Sequence, residues 1–337
     1  MARAPLRIGL AGGGTDFESY YEVYGGAVVS VAINRYCYVL ISSQDGKETE
    51  ITSSVDFHKP QQDGWQSSDT DLPVPRAVVD YFGLGRGLSI FIAFQVPSDT
   101  GLGSSTASGV ALIRALESIK GPAREARDLA ELACHIEIRQ LGRLIGKQDP
   151  YTCTFGGLNY LEFRPDGVGV TPIALSAELR DALESRLMLF FTGRRQNSAR
   201  IWHDQWMNTQ RNGTAINALH TIKAAAAQLH RELQRGEIDG VGDCLHRSWI
   251  AKRQLAVGVS DAWVDEWYEA ALKAGAGGGK LVGAGGGGFA LLYCDPDRQE
   301  AVTGTLQKAG LSRVMFQFES EGATVLFDEP DLPRRTT

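Results

Sequence analysis

The sequence predicts an α+β protein, in which strands and helices are mixed without the strict alternation of a doubly wound sheet. Two observations support this class. Apolar, β-branched runs cluster in the first half, and a long, mostly helical stretch separates them from a second group of strands. The pattern changes near residues 175–180. We therefore expect two domains, over residues 1–178 and 179–330, and a loose tail at 331–337.

The elements of the first half follow from local patterns. The predicted strands are rich in β-branched and apolar residues and cover 6–11, 27–41, 88–96 and 155–163. Residues 104–119 contain a single glycine and predict a helix, which follows a glycine-containing loop at 97–103. Pro122 predicts the start of a second helix, which runs to about Leu141 before Gly142 stops it.

The second half begins with a predicted strand at 188–192. Residues 195–274 are mostly helical, and turn-forming residues predict interruptions near 212–213, 236 and 258–260. Strands return at 280–294, and a helix near 297–309 precedes the last of them. No internal repeat is visible along the chain.

Composition excludes several classes of protein. The 337 residues carry 34 Lys and Arg against 40 Asp and Glu, a net charge of −6. We therefore expect no nucleic-acid partner and no membrane surface. No apolar run approaches the roughly 18 residues that span a bilayer, and no signal peptide precedes Pro5. The five cysteines are scattered without metal-site spacing, which favours the reducing cytoplasm.

Glycine is over-represented, at 39 of 337 residues, against about 7% in average proteins. Three clusters, at 12–14, 101–103 and 275–288, suggest a phosphate or nucleotide site, because glycine lets the backbone approach a ligand closely. Residues 283–288 formally match the dinucleotide pattern G-x-G-x-x-G, but a strand-like run follows where that site needs a helix. The P-loop pattern fits nowhere. Taken alone, residues 283–288 favour a structural turn.

The segment 97–108 is more informative, because a strand, a glycine turn and a helix start follow one another. Ser104, Ser105 and Thr106 would open the helix, where free backbone N–H groups and the helix dipole favour an anion. Their hydroxyls can bind phosphate oxygens or Mg²⁺. An ordinary helix cap with tight packing is the alternative interpretation.

Two carboxylates are candidates for chemistry. On a helical wheel Glu137 lies in the middle of an apolar stripe, where a buried carboxylate needs a cation or a metal. A structural ion pair with a distant arginine and a metal ligand both remain open. Asp149 precedes Pro150, which predicts that it projects from a loop. Lys147 could hold this acid ionised, and an ordinary acidic turn residue is the alternative.

Taken in order, these pieces resemble the GHMP small-molecule kinases over nearly the whole chain. The likeness rests on residues 4–7 with 12–16, on 97–105 with the following helix, and on 280–288. The resemblance implies a two-domain GHMP kinase fold with the active site in the cleft between the domains. It also implies ATP and Mg²⁺ as cofactors.

The resemblance implies roles for individual residues. Asp149 would be the catalytic base, or would orient the attacking hydroxyl, with the basic residue Arg7 beside it. ATP phosphates would bind to Gly101, Leu102, Gly103, Ser104, Ser105 and Thr106. Mg²⁺ would be held by Ser105 and Glu137. The substrate would contact Asp16, Gly13, Gly14, Thr15, Gly285 and Gly286.

Within the family, residues 3–17, 25–39, 146–163 and 248–255 are most similar to kinases of D-glycero-D-manno-heptose 7-phosphate. This similarity implies transfer of the ATP γ-phosphoryl group to the anomeric hydroxyl, for bacterial surface polysaccharide precursors. A second phosphate on the sugar needs cations, for which Arg194, Arg195, Lys252 and Arg253 are candidates. Another sugar 1-kinase, for fucose or a uronic acid, and a catalytically silent sugar-binding regulator remain alternatives.

Overall fold

The computed structural model describes residues 1–54, 72–97, 99–195, 198–211 and 213–328. Within this part of the chain, helices pack on two sheets that are largely antiparallel, which confirms the predicted α+β class. The predicted tail at 331–337 lies outside the described residues.

The larger sheet has seven strands and is built around β2, which pairs with β1, β4 and β5. Its path runs β11-β1-β2-β4-β3, and β5 links β6 to β2. Only β3 and β4 pair in parallel among these described strands. The strands are β1 (Ala2–Ala11), β2 (Gly26–Glu48), β3 (Glu50–Ser53), β4 (Arg86–Phe94), β5 (Leu158–Arg164), β6 (Gly167–Pro172) and β11 (Thr324–Val325).

The smaller sheet has four antiparallel strands in the order β10-β7-β9-β8. They are β7 (Leu187–Phe191), β8 (Gly278–Leu281), β9 (Phe289–Tyr293) and β10 (Ser312–Val314). Strands thus return at 280–294 as predicted, in the form of the hairpin β8–β9. Residues 285–288 join its strands and all have positive φ, which is natural for glycine and explains why the strand run is interrupted here.

Helices cover the sheets and connect them. The α-helices are α1 (Glu18–Tyr24), α2 (Pro73–Tyr81), α3 (Ser104–Lys120), α4 (Ala126–Cys134), α5 (Gln148–Phe155), α6 (Ala177–Arg186), α7 (Ser198–Arg211), α8 (Gly213–Gln234), α9 (Val241–Lys252), α10 (Ala262–Ala274) and α11 (Gln299–Lys308). A π-helical turn, His135–Gln140, continues α4. No described helix combines the length and the apolar character that a membrane crossing requires.

Strand β1 lies at the centre of the core. Both α3 and α8 pack against β1 and β2, and all residues of β1 except Arg3 are buried. A strand covered in this way needs no polar alternation, which is why residues 6–11 form a continuous apolar run apart from Arg7. Arg7 is therefore a cation placed inside the core.

The end of the chain returns to the larger sheet. Strand β11 pairs with β1, and the backbone N–H of Asn34 donates to the carbonyl of Gln317 at 2.9 Å. Residues from both halves of the sequence therefore build the larger sheet. The domain boundary near residue 178 stays a prediction.

The helix predicted from Pro122 to about Leu141 was wrong at its start, whereas its end is confirmed by the π-helical turn that runs to Gln140. It begins only at Ala126, because the carboxylate of Glu117 binds the guanidinium of Arg124 at 2.7 Å and holds the preceding segment outside the helix. Its α-helical part ends at Cys134, where the π-helical turn widens the backbone. The strand predicted from residue 155 begins at Leu158, because α5 occupies the preceding positions.

Candidate active site

An arginine–aspartate pair forms the centre of the site. Arg7 on β1 donates from Nε to Asp149 Oδ1 and from Nη2 to Asp149 Oδ2, both at 2.6 Å. Its third nitrogen donates to the carbonyl of Gly101. The guanidinium is buried, whereas the Asp149 side chain is 20% exposed. The pair is therefore bidentate, and only its carboxylate side faces solvent.

Asp149 lies in the first turn of α5, so the prediction that it projects from a loop was wrong. Pro150 is tolerated there, because the first-turn N–H groups have no acceptor within the helix. The helix fixes the carboxylate against Arg7 more rigidly than a loop would. The pair also contacts the phosphate-loop candidate, since a Cβ added to Gly103 would lie 3.2 Å from Asp149 Oδ2.

Asp16 connects the first glycine cluster to α5. Its Oδ1 accepts the backbone N–H of Gly14 at 2.9 Å, and its Oδ2 accepts that of Gln148 at 3.1 Å. Burial raises the pKa of this carboxyl, and the two backbone N–H groups oppose that shift. Thr15 is buried as well and bonds to the carbonyls of Gly12 and Ala27. These bonds fix the loop that carries Gly13 and Gly14.

The loop before α3 has the geometry of an anion site. Gly101 and Gly103 adopt φ of 86° and 76°, and Gly103 forms the N-cap of α3. Among the described residues, no side chain caps this helix. The first N–H groups of α3 therefore remain free for a ligand, and the positive end of the helix dipole favours an anion there. Ser105 at the helix start is partly exposed, whereas its neighbours Ser104 and Thr106 are buried.

Glu137 lies within the π-helical turn and is 1% exposed, so its predicted inward position is confirmed. Its Oε2 accepts a hydrogen bond from Arg143 Nη1, and the same nitrogen donates to Ser105 Oγ at 3.1 Å. Burial raises the pKa of Glu137, whereas Arg143 and the Thr106 hydroxyl lower it. Glu137 and Ser105, at the start of α3, therefore lie next to each other, joined by Arg143.

The residues fit a magnesium ion at this point. Arg143 supplies the ion pair that was one of the two interpretations of Glu137, but it uses only Oε2. The other oxygen, Oε1, is buried and forms no hydrogen bond of acceptable geometry among the described residues, although the Thr106 hydroxyl lies close to the carboxyl group. An unpaired carboxylate oxygen beside a serine hydroxyl suits a hard cation. Over the described residues, no group of three or more His, Cys, Asp or Glu could hold a metal.

The third glycine cluster closes the site from the smaller sheet. Phe289 N–H donates to the carbonyl of Thr100 at 3.1 Å, which joins β9 to the loop before α3. A Cβ on Gly285 would lie 2.7 Å from the carbonyl oxygen of Val259, and one on Gly286 would lie 2.8 Å from that of Gly258. The glycines are required for this close backbone packing.

The predicted substrate cations do not form one group. Arg194 pairs with Asp261 at 2.9 Å and stacks over Trp263, 3.8 Å from the ring centroid. Arg195 is exposed on the same loop. Arg253 pairs with Asp265 at 2.6 Å. Lys252 instead is buried and lines a cleft with Arg7.

This cleft contains residues that sequence reasoning missed. Lys280, Ser248 and Gln148 line it together with Gly9, Gly13, Ile222 and Gly283. Lys280 starts the third glycine cluster and is buried, like its neighbours on β8. A single lysine in a short strand of buried residues was the signal that could have identified it, because a buried cation needs a partner. Arg143 was also missed, and no periodicity pointed to it.

Comparison with known proteins agrees with this geometry. The family model for the N terminal domain of GHMP kinases matches residues 74–157, and the model for the C terminal domain matches residues 229–311. A curated relative, D-glycero-alpha-D-manno-heptose 7-phosphate kinase of Campylobacter jejuni, is 31% identical over 95% of this chain and 96% of its own length.

Two further relatives extend the comparison. The crystal structure of a D-glycero-D-manno-heptose 1-phosphate kinase from Bacteroides thetaiotaomicron has a TM-score of 0.77 at 28% identity, and the match covers 97% of this chain and 99% of that one. The bifunctional fucokinase/GDP-fucose pyrophosphorylase of Arabidopsis thaliana is 26% identical over 86% of this chain but only 29% of its own length. The chain has the two-domain GHMP kinase fold and belongs to the GHMP kinase family of enzymes.

Proposed function

We propose that this protein is an ATP-dependent sugar kinase that phosphorylates the anomeric hydroxyl of D-glycero-D-manno-heptose 7-phosphate to give the 1,7-bisphosphate. The observation that carries the kinase chemistry is the Arg7–Asp149 pair beside the uncapped start of α3. The names of the relatives from Campylobacter jejuni and Bacteroides thetaiotaomicron support a heptose phosphate as substrate. The product would enter bacterial surface polysaccharide synthesis, in the cytoplasm.

Asp149 would act on the attacking hydroxyl. Its side chain is 20% exposed, so a sugar hydroxyl could donate to the carboxylate while both bonds from Arg7 persist. The hydroxyl oxygen forms the new bond to the γ-phosphorus, the bond to the ADP oxygen breaks, and the hydroxyl proton passes to Asp149. Arg7 orients the carboxylate through its two hydrogen bonds.

ATP would bind across the start of α3. The backbone of 101–103 and the N–H groups of Ser104, Ser105 and Thr106 would receive the phosphates. Ser105 and Glu137 would hold Mg²⁺, which supplies charge neutralisation for the transferred group when bound. Arg143 bridges these two residues and keeps the carboxylate oriented toward the helix start.

The sugar would lie between Asp149 and the first glycine cluster. Gly13, Gly14 and Thr15 would approach the sugar closely, and Asp16 would contribute a hydroxyl contact in addition to its backbone bonds. Gly285 and Gly286 would close the opposite side. The second phosphate would be neutralised by a cation among Arg194, Arg195 and Lys252.

Fucose is the second candidate substrate, because the fucokinase relative matches most of this chain. A uronic acid 1-kinase and a silent sugar-binding regulator are the remaining alternatives. The intact bidentate pair and the buried Glu137 argue against a silent regulator, since both would be dispensable there.

A substrate panel tests the proposal. ADP release is measured with heptose 7-phosphate, unphosphorylated heptose, fucose, galactose and glucuronic acid, and the product is identified by ³¹P NMR. We expect the highest kcat/KM with heptose 7-phosphate and a new anomeric phosphate signal. A higher kcat/KM with fucose would make fucose the substrate in place of heptose 7-phosphate. The absence of turnover with every sugar would refute the kinase assignment.

A further inference from the structure

The cleft beside Arg7 contains two buried lysines without an acidic partner. Lys252 on α9 donates from Nζ to the carbonyls of Leu281, at 3.3 Å, and Gly283. Lys280 on β8 donates from Nζ to the carbonyl of Leu10 at 3.3 Å. Among the described residues, neither lysine forms a salt bridge. Within the described part of the chain their hydrogen bonds go to uncharged backbone carbonyls, and Asp16 attracts both lysines without a direct bond.

Two cations at one place are unfavourable in a protein interior. Burial lowers the pKa of Lys280 to about 8, and it lowers the pKa of Lys252 well below its usual range. The nearby charge of Lys280 adds to the shift of Lys252. An arrangement that served stability alone would pair or omit such charges. The cleft is therefore suited to an anion.

A third donor faces the same cleft. Ser248 lies one turn before Lys252 on α9, so both side chains share a face of the helix. The Ser248 Oγ is buried and forms no hydrogen bond of acceptable geometry within the described part of the chain, although it lies close to the Cys244 thiol. Gln148 and the backbone at Gly13 line the opposite wall. Two ammonium groups and a free hydroxyl converge, which is the donor set that a phosphate dianion requires.

We propose that Lys252, Lys280 and Ser248 form a subsite for the non-reacting phosphate of the substrate, a phosphate monoester on the sugar. This inference rests on the proposed function. Arg7 separates the two ends of the substrate: its guanidinium holds Asp149 on one side and lines the lysine cleft on the other. The sugar spans this distance with its reacting hydroxyl at Asp149.

The other candidate cations are less suited to this role. Arg194 is neutralised by Asp261 and stacked on Trp263, and its side chain is 46% exposed. To bind a phosphate, Arg194 would have to release Asp261. The new ion pair with the phosphate would be exposed to solvent and would contribute little binding free energy. The subsite would also make the enzyme select the phosphorylated sugar, because an unphosphorylated sugar would leave both lysines without an anionic partner.

Neutral variants test the subsite. Lys252→Met and Lys280→Met keep most of the side-chain volume and remove the charge, and Ser248→Ala removes only the hydroxyl. Lys223→Met is the matched control, because Lys223 also donates to a backbone carbonyl, that of Tyr24, on α8. Binding of heptose 7-phosphate, unphosphorylated heptose and ATP is measured separately by calorimetry. kcat/KM is measured with both sugars, and Tm reports folding.

We expect each lysine variant to weaken heptose 7-phosphate binding by about 10- to 100-fold, because it removes one charge-assisted bond. Ser248→Ala should weaken it about 3- to 10-fold and provides the test if a lysine variant fails to fold. Binding of ATP and of unphosphorylated heptose should change less than twofold. Tm should rise or stay constant in the methionine variants, whereas a structural role for the lysines would lower it.

The outcomes are distinguishable. Unchanged binding of heptose 7-phosphate in all three variants would overturn the subsite, while turnover by the wild-type enzyme would still support the kinase. A selective loss of ATP affinity would assign the anion to the nucleotide and would also overturn it. Failure of the kinase proposal itself would be seen in the wild-type protein, as absence of ADP release with every sugar.

Discussion

Replacing Asp149 by asparagine tests the chemistry most directly, because the substitution keeps the shape and removes the proton acceptor. Loss of a positioned general base lowers kcat by about 10²- to 10⁴-fold, which corresponds to a barrier higher by about 3–5 kcal/mol. The variant also weakens a pair in which two bonds of 2.6 Å reach a buried guanidinium. Removing one partner of a fully buried pair costs about 3–5 kcal/mol. The cost here should be smaller, because the carboxylate is 20% exposed and the amide oxygen still accepts one bond.

The assay must separate chemistry from folding. Steady-state ADP release with heptose 7-phosphate gives kcat, fluorescence titration gives ATP affinity, and thermal unfolding gives Tm. We expect kcat to fall within the stated range, ATP affinity to stay within about twofold, and Tm to decrease by a few degrees. Asp295→Asn is the control, because it breaks the ion pair with Arg186, a residue without a role in the proposed site, and should leave kcat unchanged. Turnover near the wild-type value, or a loss explained by unfolding or by ATP affinity, would remove Asp149 from the mechanism.

Three further predictions follow from single contacts. Glu137→Gln should raise the Mg²⁺ concentration for half-maximal activity about tenfold or more, because the carboxylate that would bind the ion loses its charge. Glu117→Gln, at another buried acid, is the control and should leave the magnesium titration unchanged. If Glu137→Gln also titrates like the wild type, Glu137 serves only as a structural ion pair. Gly103→Ala and Gly83→Ala should each lower the free energy of unfolding by about 1 kcal/mol, because both glycines have positive φ. Only Gly103→Ala places a Cβ against the Asp149 carboxylate, so only this variant should lower kcat at least tenfold. Equal kcat values for the two variants would contradict that contact. Burial lowers the pKa of Lys280 to about 8, so between pH 8 and about 10.4 the unfolded chain binds more protons at this lysine than the folded protein does. The free energy of unfolding of the wild type should therefore rise with pH relative to that of Lys280→Met. Parallel pH profiles of the two proteins in denaturant titrations would show that folding does not lower the pKa of Lys280.

The sequence predicted the regular elements that depend on local pattern. The strands predicted at 6–11 and 27–41 lie within the longer β1 and β2, and the helix predicted at 104–119 agrees with α3 to within one residue, because these apolar runs are buried. Glu137 was correctly placed inward from the 3.6-residue period, although the backbone there is a π-helical turn. The helical-wheel prediction was correct for Glu137 because α4, which directly precedes the π-helical turn, fixes the orientation in which that turn begins.

The errors come from interactions that sequence pattern does not contain. Glu117 and Arg124 delay the start of α4 through an ion pair. Asp149 lies in a helix because a proline is accepted in a first turn. Lys280 was missed because its role depends on β8 packing beside β1, which is a contact between distant parts of the chain.

The distribution of unpaired groups is the strongest argument for where the ligands bind. Glu117 is as buried as Glu137, but both of its oxygens are engaged by arginines, at 3.2 Å from Arg114 and 2.7 Å from Arg124. Glu117, a buried acid outside the site, is thus fully satisfied. At the site, by contrast, one oxygen of Glu137 has no hydrogen bond, and the two lysines of the cleft bind only uncharged carbonyls among the described residues. Such exceptions are expected where a ligand completes the bonding. The unpaired oxygen suits a cation and the two lysines suit an anion, so that one part of the site would select the metal–nucleotide and the other the phosphorylated sugar.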